Sequence, residues 1–443
     1  MEYGIHIGIV LFFVGILIGL PLCWVFLGTT IAITFMIEGS LGFMSGTFFH
    51  SINSYLLMAI AFFVYAGNLI SVAGIASRLV RLSYALVGRI RGGLVDVAIV
   101  AATFMGSLTG SSIPVIAALI PILVPGLEKL GYQRRYVTAV LCSSSFLGYL
   151  IPPSVPALIY CLVAQQSVAA VFLATVVPAL LLAGGYMLLN TFICHRYYEP
   201  SKDAPKLPTN FSESIKEIGV STWAALPALG CPLVVLVGIY GGIFTPNEAG
   251  AIAVFYTAAV GFFMYREMNL KSFWEATVGS MVTMGMFAFL LGFGTVFTRL
   301  LIMEEMGEVM TQFILSISDN KYIILLMLNI LLLLLGMFLD GIPVLIIAVP
   351  LIMPLMVQMD MNLVHLGSMI VVNIGLGVVS PPYALSIFVG TRISGVPWED
   401  LVPPMLIFLF LVGIPVLLLV TYIPWFSLWL PTLVLGPEVV GIR

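Results

Sequence analysis

From Tyr136 to His195 the chain runs for sixty residues without one Asp, Glu, Lys or Arg, and it is equally free of them from Tyr3 to Ile37 and from Gly39 to Ser77. An α-helix needs about 20 apolar residues to cross the hydrocarbon of a bilayer. In that medium a helix satisfies each backbone N–H and C=O within its own segment, which open sheets and irregular coil cannot do. Charged residues make up 8% of the chain and hydrophobic ones 61%, against the roughly 25% charge of a water-soluble domain. The sequence therefore reads as an all-α integral membrane protein that passes the bilayer many times.

The same sparseness excludes several functions. Seventeen Lys and Arg against twenty Asp and Glu leave a net charge of −3, so no basic surface is available for nucleic acid. Cys23, Cys142, Cys161, Cys194 and Cys231 form no CxxC pair, and His6, His50, His195 and His365 stand apart, which argues against zinc sites and disulfide frameworks. There is no nucleophile elbow, HExxH or Walker loop, so the chain reads as a non-enzyme that cannot itself use ATP. The opening MEYGIHIGIV lacks a basic n-region and reads as a retained helix.

Two copies of one pattern lie in the chain. IPVIAALIPILVP (113–125) matches IPVLIIAVPLIMP (342–354) at an offset of 229, and the same offset carries Gly148 to Gly377 and Pro152-Pro153 to Pro381-Pro382. The longest polar interval, 196–222, separates a first repeat, 1–195, from a second, 223–443. Each repeat reads as five crossings: 4–20, 22–37, 48–76, 136–165 and 169–194, then 223–242, 247–266, 272–303, 361–394 and 398–430. The linker bearing Arg78, Arg81, Arg89 and Arg91 is purely basic, while its counterpart carries Arg299, Glu304, Glu305, Glu308, Asp319 and Lys321. By the positive-inside rule these face opposite sides, and an odd number of crossings inverts the second copy. Arg91 and Arg134-Arg135 must then share the cytoplasmic side, so 94–125 enters and returns as a re-entrant hairpin, and 322–354 does the same from the other side. This leaves Arg299, Lys321 and Arg443 as the only outer cations.

The hairpins turn at GSLTGSSIP (106–114) and LDGIP (339–343), and the helices that follow are interrupted at IPPS (151–154) and SPPY (380–383). Broken backbone at membrane depth is tolerated where it is buried in protein or lines a wet cavity. Broken helices in paired copies are the pattern of a secondary transporter with its sites at the midplane. Freed carbonyls and hydroxyls suit Na⁺, and half-helix N-termini suit a carboxylate. The candidates are Thr109, Ser111, Ser112 and Ser154, with Ser380, Ser386 and Asp340 in the second copy. Ser111, Ser112 and Asp340 could equally serve as helix N-caps. Asn68 and Asn373 read as interhelical hydrogen-bonding residues, Arg299 as a side chain reaching the headgroups, and His6, His50 and His365 as interfacial. Gly15 and Gly19 read as a close-packing pair, and Trp425 and Trp429 as part of an interfacial belt.

GSLTGSSIPVIAALIPILVPGLEKLGY, LIPPSVPALIY, GIFTPNEAGAIAVFY, GMFLDGIPVLIIAVPLIMPLM and VNIGLGVVSPPYALSIFVG, closed by TYIPWFSLWLP, resemble in order the signature blocks of the large membrane subunit of tripartite ATP-independent periplasmic (TRAP) transporters. The resemblance implies an elevator-type carrier in the bacterial inner membrane, driven by Na⁺. It also implies a small organic acid received from a periplasmic binding protein, and a separate, small four-helix membrane subunit as partner. Carried over, the family's ion sites fall on Gly110-Ser111-Ser112, Pro152-Pro153-Ser154, Asp340-Gly341 and Ser380-Pro381-Pro382, with Na⁺ expected at Ser111, Ser112, Ser154, Asp340 and Ser380. The alternative is a stand-alone anion symporter or antiporter that needs no binding protein.

Overall fold

Glycine, proline and asparagine divide the apolar sequence into helices, and where they fall decides the architecture. The computed structural model describes residues 2–88, 92–199, 211–381 and 384–441, with side chains for all of these except 2–6 and 211–215. Arg89, Arg91 and Pro382, and the side chain of His6, lie outside that description. Among the described residues nine helices are long and apolar enough to cross a membrane. No strand forms there beyond one bridge pair, Tyr132 with Tyr198.

The hairpins are pairs of helices, Gly93–Thr109 with Ser112–Lys129 and Lys321–Phe338 with Gly341–Gln358. Three of the four helix boundaries at the tips and bases repeat at the offset of 229 to the residue. Pro114 and Pro343 fall in the first turn of each outgoing helix, where the missing N–H would have no intrahelical partner. The first tip meets Gly67, well inside Tyr55–Val72, whose absent Cβ would lie 3.2 Å from the Thr109 backbone. The first hairpin thus turns back against the inner part of that helix.

Each hairpin is held by the broken helix that follows it. The first is Arg134–Ser144, a 3₁₀ turn Ser145–Tyr149, then Val155–Ala164; the second is Leu363–Val378, then Leu385–Ser394. Gly148 lies against Gly106, and Gly377 lies against Gly336, so close that a Cβ on either would sit within 3.1 Å of the facing backbone. That approach is why glycine recurs at 148 and 377. Lipid tails are as apolar as leucine, so helices associate in a bilayer through such close packing and through hydrogen bonds of about 1 kcal/mol each. Asn373 Nδ2 donates to Asn329 Oδ1 (2.8 Å), Asn329 Nδ2 to Thr421 Oγ1 (2.9 Å), and Asn190 Nδ2 to Asp96 Oδ1 (2.7 Å). Asn373 is thus the interhelical residue expected of it.

A second group of helices frames this core: Glu2–Leu17, Leu22–Met36, Tyr55–Val72, Phe211–Tyr240, Pro246–Ala259 and Leu270–Met303. Its outer faces expose large apolar side chains, such as Trp223 and Phe255. Arg78 Nη1 pairs with Glu267 Oε1 at 2.6 Å and its guanidinium lies over the Tyr265 ring. This ties the amphipathic linker helix Ile75–Val87 to the start of Leu270–Met303.

Several boundaries differ from the sequence expectation. The crossing placed at 48–76 is three helices, Gly42–Ile52, Tyr55–Val72 and Ile75–Val87, because Ser54 is extended and Gly74 adopts φ +73°. The crossing placed at 398–430 ends at Tyr422, and Trp425–Leu435 is a separate short helix beside Val168–Ile193. Phe211–Tyr240 begins inside the interval 196–222 assigned to a linker. His365 is buried within the protein, in the first turn of Leu363–Val378, with its Nε2 2.8 Å from the Val420 carbonyl. Gly15 packs against Val25, but Gly19, with φ +85°, turns the chain before Pro21.

Candidate functional site

At the first tip only Gly110 and Ser111 lie between the helices. Gly110 has φ +59°, and a Cβ there would meet the Pro153 carbonyl oxygen at 2.6 Å, so both backbone and space demand glycine. Thr109 Oγ1 donates to Met105 O (3.0 Å) and to Ser111 O (3.2 Å), which holds the turn. Ser111 occupies the cap position with extended backbone, but its hydroxyl makes no capping bond. Ser112 is buried, and its hydroxyl donates to Tyr149 Oη at 3.3 Å.

The first helix break closes beneath this tip, with Val155 N donating to Gly110 O at 3.4 Å. Ser154 caps the helix that follows: its hydroxyl accepts from Ala157 N (3.2 Å) and donates to the Tyr149 carbonyl. Pro152 and Pro153 are buried beside it.

At the second tip Leu339 and Asp340 lie between the helices. Asp340 is the cap of Gly341–Gln358, with Oδ1 accepting from Gly341 N at 2.8 Å, and the Tyr149 hydroxyl approaches the same oxygen at 3.5 Å. Tyr149 thus stands between Ser112 of one hairpin and Asp340 of the other. The second break is different: Ser380 is buried, its hydroxyl donating to Leu376 O at 2.6 Å, and Ser386 donates to Val378 O at 2.8 Å.

Between the tips lies a cavity of about 370 Å³. Thr109, Gly110, Ser111, Asp340 and Gly341 line it, so the structure brings both predicted tips to one place. Ser112, Pro152, Pro153 and Ser154 form the layer behind, while Ser380 and Pro381 do not reach the cavity wall. The frame supplies the facing wall through Gly67, Asn68, Thr283, Met286 and Phe287. Asn68 also donates to Ser280 Oγ at 2.8 Å, the interhelical contact expected of it. Sequence reasoning missed Tyr149 and, apart from Asn68, the frame residues. Tyr149 has no counterpart at the repeat offset, where Val378 stands, and only its place just before the IPPS break could have drawn notice.

The chemistry of the cavity follows from its wall. Helices starting at Ser112, Val155 and Gly341 all open on it, and the N-terminus of each carries partial positive charge, although Val155 N, Ala157 N and Gly341 N are already taken up by Gly110 O, Ser154 Oγ and Asp340 Oδ1. Asp340 is the one ionisable acid in the wall, and no Lys, Arg or His joins it. Among the described residues no three His, Cys, Asp or Glu side chains converge. The donors on offer are therefore one carboxylate with hydroxyl and carbonyl oxygens, a hard set that suits an alkali or alkaline-earth cation better than zinc or copper. The Ser111 hydroxyl, without a partner among the described residues and facing the cavity, fits such a cation.

Comparisons with known proteins place the chain in a family. Residues 9–426 match the family described as "Tripartite ATP-independent periplasmic transporter, DctM component". The chain is 33% identical over 430 residues to the C4-dicarboxylate TRAP transporter large permease protein DctM of Vibrio cholerae, covering 91% of this chain and 92% of that one. It is 31% identical to the sialic acid TRAP transporter large permease protein SiaM of the same organism, covering 96% and 97%. In fold it is similar to the crystal structure of the Alcanivorax borkumensis YdaH transporter, with a TM-score of 0.61 at 17% identity over 88% of each chain. The chain belongs to the DctM-component family, the large permease subunits of TRAP transporters, and is a multi-pass inner-membrane protein rather than an enzyme.

Proposed function

We propose that this permease uses a Na⁺ gradient to take up a small organic acid, which it receives from a periplasmic binding protein and carries together with a small membrane subunit. The observation that supports this most is the mixed polarity of the tip cavity: three helix N-termini and one carboxylate, with no basic side chain. Helix N-termini attract an anion, but ionised Asp340 repels it. Two like charges 4 Å apart cost roughly 4 kcal/mol at the effective dielectric of a protein's outer region. A cation bound between Asp340 and Ser111 removes that repulsion, which makes Na⁺ binding a precondition for the anion and couples the two. Relatives named for a C4-dicarboxylate and for sialic acid support a carboxylate as the substrate class. The two repeats, read as inverted, would place the hairpin bases on opposite faces and the tips between them.

The test is uptake by the reconstituted permease and its small subunit, with succinate or sialic acid presented by the cognate binding protein. An imposed inward Na⁺ gradient should drive accumulation, and collapsing it with a Na⁺ ionophore should abolish accumulation. Accumulation that persists without Na⁺ on either side defeats the proposal.

A further inference from the structure

A second cavity, of about 740 Å³, lies further along the same helices. Phe287 on Leu270–Met303 lines the inner cavity, and Leu291, Thr295 and Arg299 line the second one, four residues apart in turn. Ile342 lines the inner cavity, and Ile346 and Pro350 continue the same face into the second. Residues four apart share one face of a helix, so the cavities are successive compartments along one cleft between frame and core. Phe287 and Arg299 are separated by about 18 Å at 1.5 Å per residue.

The two compartments have opposite polarity. The inner wall holds Asp340 and no cation, whereas the second holds Arg299 and no Asp or Glu. Arg299 is exposed and makes no ion pair or hydrogen bond among the described residues. Around it stand the polar groups of His50, Asn53, Gln165 and Thr295. Arg299 also lies about 44 Å along its helix, at 1.5 Å per residue, from the end where Glu267 holds Arg78. That end carries the basic linker, so Arg299 belongs to the opposite face.

We propose that this compartment is an anion-capturing vestibule, in which the Arg299 guanidinium holds the carboxylate of the incoming organic acid before it reaches the tip cavity. The inference rests on the reading of the tip cavity as an organic-anion site, but it does not need Na⁺. A cation in a cleft with low-dielectric walls concentrates anions at its mouth, and guanidinium offers a carboxylate two parallel hydrogen bonds. An anion gathered here meets the repulsion of Asp340 only at the next compartment, where Na⁺ relieves it.

The test uses the full chain, co-purified with its small subunit in lipid nanodiscs. Of the native cysteines, four are buried and Cys23 is partly exposed, so the background carries Cys23→Ala. A reporter thiol is placed in the vestibule by Thr295→Cys and, separately, in the inner cavity by Thr283→Cys. Its reaction with an anionic and with a cationic methanethiosulfonate is timed. With Arg299 present, the ratio of anionic to cationic rates at position 295 should exceed that in Arg299→Gln by about fivefold in low salt, and Arg299→Lys should keep most of the difference. Succinate or sialic acid at millimolar concentration should slow modification at position 295 without Na⁺, and Arg299→Gln should abolish that protection. A ratio unchanged by Arg299→Gln, or one that changes only when anionic lipid is added to the nanodisc, overturns the proposal, since the guanidinium then serves a headgroup. Carboxylate protection that survives Arg299→Gln overturns it as well. Protection at position 283 with and without Na⁺ alike would instead overturn the coupling reading, and the result at position 295 would stand.

Discussion

At the first hairpin tip Gly110 and Ser111 stand between two helices, and 229 positions later Leu339 and Asp340 do the same. The backbones break at equivalent residues, yet the side chains diverge. The first tip is neutral, turns through a left-handed glycine and offers a hydroxyl with no partner. The second turns through extended residues and offers a carboxylate that already caps its own helix. Duplication therefore set where the chain reverses, and substitution within the copies set what each tip can hold.

The largest test of this contrast is the glycine at each tip. Gly110→Ala adds a methyl group 2.6 Å from a backbone oxygen and forces a left-handed residue, which costs about 1–2 kcal/mol for the backbone alone and about 1–3 kcal/mol more for overpacking. Gly341→Ala meets the Ile374 side chain at 2.5 Å and the Tyr149 ring at an ordinary 3.7 Å, with no backbone atom and no positive φ. Thermal unfolding of the purified proteins should therefore show Gly110→Ala as much the less stable, and equal losses would mean that the first tip does not depend on its left-handed turn.

Next comes the charge at the second tip. Asn caps a helix about as well as Asp, so Asp340→Asn should keep its melting temperature. Uptake should nevertheless fall about tenfold or more, the effect of losing roughly 1.4 kcal/mol or more of a charged ligand's interaction. Wild-type uptake in this variant would reduce Asp340 to a cap. At the first tip Ser111→Ala removes a neutral ligand and should raise the half-saturating Na⁺ concentration about threefold, as expected from a contact near 0.6 kcal/mol. An unshifted Na⁺ curve would take Ser111 out of the ion site.

Tyr149→Phe sharpens the comparison by cutting the hydroxyl that stands between Ser112 and Asp340. Long hydrogen bonds of 3.3 and 3.5 Å lie at or beyond the ordinary range, so a roughly twofold shift in Na⁺ affinity is expected, toward the low end of about 0.5 kcal/mol for such a bond. No shift would mean that the two tips respond independently. The smallest effects on Na⁺ dependence belong to the helix breaks. Ser154→Ala should lose about 1 kcal/mol of stability as a cap without altering Na⁺ dependence. Ser380→Ala, which removes a bond to the carbonyl one turn back, should be nearly silent in both. A Na⁺ shift in either would place an ion at the breaks as well as at the tips.

Much of this arrangement is readable in the sequence because it depends on local chemistry. The sixty-residue run without charge admits a bilayer and little else, and Gly-Ser and Leu-Asp-Gly before Ile-Pro mark reversals that glycine permits and a first-turn proline accepts. The offset of 229 needs only comparison of the chain with itself. What the tertiary structure alone decided are the contacts between residues far apart in the chain. Tyr149 lies 191 positions from Asp340, and no periodicity points to it. His365 is buried because helix Ile414–Tyr422 covers it and places the Val420 carbonyl against its ring, a partner that no local pattern names. The hydroxyls of Ser111 and Ser154 look alike as sequence, but one faces a cavity and the other is taken up by Ala157 and Tyr149. A side chain's type is set by the gene, whereas its free lone pairs depend on which neighbours the packing of distant helices brings within hydrogen-bonding reach.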